Sequence, residues 1–219
     1  MSEYYFVATA LPSITWGKSP EITLHEYLFF LKDNLSECDR LFLDHYDNEG
    51  GLPHFLSLFE FSANAPIDNK KLSRALCCPT LPSFLRSYLA FEKRLRFVLV
   101  GLRAKQLGRN LTTELQHEDP HDELVTELLT QQKAKNYAPP EPFEPLSDLF
   151  ECLFDQPLAL HEALCRFRFI AVEEMMGFDL FSIDYLLGYL IQLLLTTHWM
   201  ELDRQTGMAL LDTLLKETA

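Results

Sequence analysis

His161-Glu162-Ala163-Leu164-Cys165 carries the first two residues of a metal-hydrolase helix. In such a helix two histidines one turn apart bind zinc, and the glutamate beside the first activates water. Here Cys165 replaces the second histidine and falls on an apolar stripe with Leu158, Phe169 and Val172, which marks it as core. His117 and His121 flank Glu118-Asp119-Pro120, and the proline sets a helix boundary between them, so they do not form a one-turn metal pair. Glu173-Glu174 invites an acid–base reading, but adjacent residues diverge by about 100° on a helix and cannot serve one site. Asp44-His45-Tyr46-Asp47-Asn48-Glu49-Gly50 lacks the alternating oxygen ligands and terminal bidentate glutamate of a calcium loop. Gly-rich phosphate loops, Gly-x-Ser-x-Gly elbows and Cys-x-x-Cys pairs do not occur. The expectation is a protein that is no enzyme and uses no cofactor or metal.

Charge is the more informative chemistry. The net charge is −13, and it is unevenly spread. Residues 1–109 sum to +1 and residues 110–219 to −14. An acidic half repels nucleic acid and anionic headgroups, so neither is an expected partner. Against that background, Ser83 to Arg109 holds seven basic residues and one acid. Two readings fit this stretch: it neutralises the acidic half internally, or it meets an acidic partner. On the second reading Arg94, Arg103, Lys105 and Arg109 are the contact candidates. The five cysteines, Cys38, Cys77, Cys78, Cys152 and Cys165, are odd in number. No basic n-region or apolar h-region opens the chain, so reduced thiols and a cytoplasmic location are expected.

These residues need elements to hold them, and the composition predicts helices. Eight glycines against 17 phenylalanines, with abundant leucine, fit an all-α chain rather than a β-sandwich. Only Tyr4 to Thr9 is β-prone, and it is expected as a short extended or β segment. Thr23-Leu24-His25-Glu26 predicts a capping box opening a helix with Tyr27, Leu28, Leu31 and Leu35 on one face. Short helices are expected from Ser36 and through Phe55, Leu58 and Phe59. The longest is predicted over about 81–107, with Pro82 in its first turn and Gly108 beyond its end. Its apolar stripe is Phe84, Tyr88, Phe91, Leu95, Val98 and Leu102, and its basic residues with Glu92 are expected on the opposite side. Asp119-Pro120 predicts another helix start, with an end near Lys135.

The organisation expected is two-lobed: an N-terminal helical lobe over 1–135, a Pro-rich linker at 136–145, and an acidic four-helix lobe over 146–219. That lobe's helices are read as 146–154, 158–176, 183–202 and 205–217, with Gly177 ending the second, and with Ser182 and Asp203 capping the last two. Between Asp184 and Glu201 no charged residue occurs. A membrane span needs roughly 20 predominantly apolar residues. This stretch has 16 with Gln192, Thr196, Thr197 and His198 among them, so a buried core helix is predicted.

Four segments resemble a family of short proteins encoded among the subunits of bacterial V-type (A/V-type) ATPases. They are Tyr4-Tyr5-Phe6-Val7-Ala8 with Leu11-Pro12; His45-Tyr46-Asp47-Asn48-Glu49 leading to Leu52; the Arg-rich helix ending Leu102-Arg103-Ala104-Lys105-Gln106-Leu107-Gly108; and Phe181-Ser182 through Tyr189-Leu190 to Trp199-Met200-Glu201-Leu202-Asp203 and Gly207. The third is also similar to helix ends in the helical d-type subunit of those machines, which read Leu-Arg-x-Lys-x-x-Gly. The resemblance implies an all-helical, non-catalytic piece joining rotor stalk to the membrane-embedded proteolipid ring, peripheral to the membrane. Its partners would be V-type ATPase subunits of the stalk, ring or soluble head. The chain is much shorter than the d-type subunit and lacks the Asp and Asn expected around Phe91–Arg94, so a full three-lobed funnel is not implied. An assembly factor or regulator of the ATPase, or an unrelated helical interaction module, are the alternatives.

Overall fold

The computed structural model describes residues 4–36, 39, 81–116, 118, 119, 122–131 and 139–202. Among them every regular element is a helix. In chain order these are α1 (Tyr5–Ala10), α2 (Leu24–Asn34), α3 (Ser83–Gln106), α4 (Leu111–Glu114), α5 (Glu123–Gln131), α6 (Pro145–Leu153), α7 (Pro157–Met175) and α8 (Ile183–Glu201). The chain divides into two compact units. One takes residues 1–40 with 164–219, and the other residues 41–163, the division falling inside α7. The Pro-rich segment expected as a linker lies within the second unit.

The opening segment is a correction: Tyr5–Ala10 is a helical turn and a half, not a strand or an extended arm. A strand needs a neighbour to satisfy its backbone, and no strand occurs among the described residues. The helix closes its bonds locally instead. Ala8 N–H donates to the Tyr4 carbonyl at 3.0 Å, and the Thr9 hydroxyl donates back to the Tyr5 carbonyl at 2.9 Å. Val7 is buried, Tyr5 tilts against Phe181 at 4.9 Å, and the Tyr4 hydroxyl donates to the Asp39 carboxylate.

The predicted capping box at Thr23 is present in both directions, with Glu26 N–H on Thr23 Oγ1 at 3.2 Å and Thr23 N–H on Glu26 Oε2 at 2.9 Å. α2 turns Tyr27, Leu28 and Leu31 inward and packs on α8. α8 is the predicted core helix. Leu186 through Thr196 are buried, and Ser182 caps its start, its Oγ accepting from Tyr185 N–H at 3.2 Å. No helix among the described residues is long and apolar enough to cross a membrane. Gly177 ends α7 at φ +71°, a conformation that glycine adopts without strain.

In the second unit α3 is the long predicted helix, trimmed to 24 residues, or about 36 Å. Its predicted stripe is buried throughout, but Leu85, Leu89, Phe97, Leu99 and Ala104 are buried as well. α3 is therefore enclosed on more than one side, and its basic residues are divided: Arg86, Arg94, Arg103 and Lys105 are exposed, while Arg96 is buried. Glu92 and Arg96, expected toward solvent, are buried and paired at 3.3 Å. Lys93 meets Asp122, just ahead of α5, at 2.5 Å. α5 starts at Glu123, later than Asp119-Pro120 suggested. The expected helices from Ser36, through 55–59 and over 205–217, the Asp203 cap, the Asp44–Gly50 loop, His117, His121, Cys38, Cys77 and Cys78 lie outside the described residues.

Candidate protein-interaction surface

The C-terminal end of α3 is built by a Schellman motif. Gly108 takes φ +61°, Arg109 N–H donates to the Ala104 carbonyl at 2.8 Å, and Gly108 N–H donates to the Lys105 carbonyl at 3.2 Å. Asn110 then caps α4, accepting from Thr112 N–H at 2.9 Å. This reversal fixes the backbone of Arg103, Lys105 and Arg109 within one and a half turns. All three side chains are exposed, and so is Leu107 beside them.

The sequence assigned four contact candidates, and the structure groups three of them. Arg94 is exposed but sits more than two turns back along α3. Its guanidinium lies over the Phe143 ring at 5.6 Å, and its Nη2 donates to the Glu141 carbonyl at 3.5 Å. Phe143 is itself buried against Phe91, so this contact tacks the 139–145 segment to α3. Arg109 reaches Glu114 at 3.4 Å, a pair open to solvent and worth little. Arg103 and Lys105 make no ion pair among the described residues. They lie about 200° apart around the helix axis and so flank its end rather than share a stripe.

The field at this end has two sources. The last carbonyls of α3 carry the negative end of the macrodipole, and Arg103 and Lys105 in the last turn oppose it. That arrangement stabilises the helix by roughly 0.3–1 kcal/mol per charge. It also places two cations, without an ion pair among the described residues, and an exposed leucine at a rigid corner, which can meet carboxylates around an apolar contact. The sequence missed Leu107 because an isolated leucine at a C-cap carries no periodic signal.

Cys165 is buried in α7 while His161 one turn earlier is half-buried, and Glu173 and Glu174 are exposed.

Comparison with known proteins gives a family. The model described as "Protein of unknown function (DUF2764)" matches residues 72–218. A protein of Chlamydia muridarum (strain MoPn / Nigg), called "Uncharacterized protein", is 27% identical over 180 residues, covering 81% of this chain and 68% of its own. A Chlamydia pneumoniae protein is 37% identical over 90 residues, 41% of this chain and 34% of its own. One from Chlamydia trachomatis serovar D is 29% identical over 133 residues, 61% of this chain and 50% of its own. No solved structure matches the chain.

Proposed function

The chain belongs to the DUF2764 family, and on that premise we propose that it is a non-catalytic component of a V-type proton- or sodium-translocating ATPase, akin to the d-type subunit. It would link rotor stalk to membrane ring by protein–protein contacts, on the cytoplasmic side and peripheral to the membrane. The ATPase assignment is supported by the four segments that resemble the ATPase-encoded family. The observation that carries the contact reading is the corner at the end of α3, where Arg103 and Lys105 are exposed without an ion pair among the described residues. A torque-bearing linker needs rigid attachment points, and a Schellman-terminated helix of about 36 Å supplies one.

The test is recovery of ATPase subunits with tagged protein from its native cells. The wild-type chain should bring down stalk, ring or head subunits in fixed ratio. Arg103→Glu with Lys105→Glu should lose most of that recovery while retaining helical circular dichroism, and the milder Arg103→Gln/Lys105→Gln pair should lose less. Undiminished recovery of the reversed variant would remove this corner from the interface. Absence of every ATPase subunit from the wild-type sample would overturn the ATPase reading itself. Subunits recovered at first but lost on washing would favour the assembly-factor alternative.

A further inference from the structure

A groove of about 770 Å³ opens in the first unit between the end of α1, the following loop and α2. Its apolar lining includes Leu11, Pro12, Ile22, Phe29 and Phe30. Phe29 stands 64% exposed there, although a phenylalanine on an 11-residue helix with a buried face would ordinarily turn inward. Phe6, 70% exposed, is not part of the lining but lies one helical turn before Ala10, which is, so the two share a face of α1.

The groove wall is pinned in place. The Tyr189 hydroxyl of α8 donates to the Pro12 carbonyl at 2.8 Å. Farther along the same loop Trp16 stacks on Trp199 at 6.1 Å and tilts against Phe169 at 5.7 Å. Pro12 and Trp16 are thereby tied to α8 and α7, and this wall of the groove is held before anything enters it. A preformed groove spares its occupant much of the ordering cost of binding.

Charge identifies the occupant. The titratable lining residues are Glu21, Glu26 and His25, with no Lys or Arg among the lining. Glu26 is held ionised by the backbone N–H and hydroxyl of Thr23, which lower its pKa. An open apolar trough with a fixed acidic rim suits the apolar face of a helix flanked by Lys or Arg, and it repels anionic lipid. We infer that this groove docks a basic amphipathic helix of a protein partner, with Phe6 and Phe29 as anchors and Glu21 and Glu26 meeting the cationic flank. The groove belongs to the first unit and the end of α3 to the second, and the inference does not depend on the ATPase assignment.

The probe is a fluorescein-labelled leucine–lysine peptide of amphipathic helical periodicity, titrated by anisotropy with the full chain; a leucine–glutamate peptide of the same pattern is the control. The leucine–lysine peptide should bind and the leucine–glutamate peptide should not. Phe6→Gln with Phe29→Gln leaves the net charge at −13 and should weaken binding by about tenfold or more. Glu21→Lys alone should weaken it less and flatten its salt dependence; it carries the test should the double variant lose its native circular dichroism. Equal binding by the wild type and both variants would mean diffuse attraction to an acidic protein and would overturn the inference. So would equal affinity for anionic phospholipid vesicles, or a wild-type dimer in sedimentation that Phe6→Gln/Phe29→Gln dissolves, since the occupant would then be a membrane or a second copy.

Discussion

α3 and α8 are the two longest helices among the described residues that lie wholly within one unit, and they are built from opposite ingredients. α3 carries seven ionisable side chains of Lys, Arg and Glu in 24 residues and still buries most of its length. α8 carries no charge between Asp184 and Glu201. Each solves the burial of polarity differently. α3 pairs Glu92 with Arg96 one turn away and lends Lys93 to Asp122. α8 folds its polar groups back with hydroxyls: Thr196 Oγ1 donates to the Gln192 carbonyl at 2.9 Å, and the Tyr27 hydroxyl from α2 donates to the Leu186 carbonyl at 2.8 Å. The lesson is that charge in a helix does not by itself mark a solvent face. In α3 Glu92 and Arg96 are enclosed at mid-helix, while Arg86, Arg94, Arg103 and Lys105 stay exposed.

The sharpest way to break this contrast is to remove half of the buried pair. Glu92→Ala would leave Arg96 enclosed without its carboxylate, and the expected loss is about 3–5 kcal/mol in urea unfolding. Replacing both, as Glu92→Leu with Arg96→Met, should restore most of it, because a well-packed apolar pair of similar size avoids the desolvation cost. A Glu92→Ala loss below about 1 kcal/mol would mean that the pair behaves like a surface bridge, and the contrast with α8 would fail.

A smaller effect is expected in α8. A Cβ built on Gly188 would lie 2.1 Å from Met176 Cγ and 2.8 Å from its Sδ, so any larger residue there must displace the Met176 side chain. Gly188→Ala should therefore destabilise by about 1–2 kcal/mol net, strain exceeding the roughly 1 kcal/mol gained in helix propensity. Adding Met176→Ala should cost less in that background than in the wild type. Additive losses would show that the contact yields without strain.

Much of this was legible before the structure. The Thr23 capping box, the α3 stripe, the Gly108 and Gly177 terminations and the buried α8 all followed from local signals, which depend on neighbours in sequence. What escaped depended on neighbours in space. Tyr4 to Thr9 has β-prone side chains, but a strand's backbone bonds need a partner that nothing local reveals. Arg96 reads as surface until Glu92 is seen enclosed beside it. Among the site residues, exposure of Arg103, Lys105 and Arg109 follows from lying at a helix end, whereas the capture of Arg94 by Phe143 and Glu141 joins positions 47–49 residues apart.

The smallest predicted effect tests how α8 satisfies polarity through α2. Burial pushes the Tyr27 phenol well above its usual value near 10, with Tyr189 and Tyr185 adding to the rise. Tyr189 is pushed up to about 12, again chiefly by burial. A raised folded-state value means that the unfolded chain loses its phenolic proton first. The stabilising contribution is thus fully present below about pH 10 and is lost as pH rises from there through about 12. Melting temperature should hold near neutrality and then fall along an alkaline limb. Tyr27→Phe should cost about 1 kcal/mol at neutral pH by removing the bond to the Leu186 carbonyl. It should also make the alkaline limb shallower, because one of the raised phenols, which include Tyr4 and Tyr189, is gone. A limb of unchanged slope would show that Tyr27 ionises without disturbing α8, and the hydroxyl would then be an accessory to that helix rather than part of how its core is held.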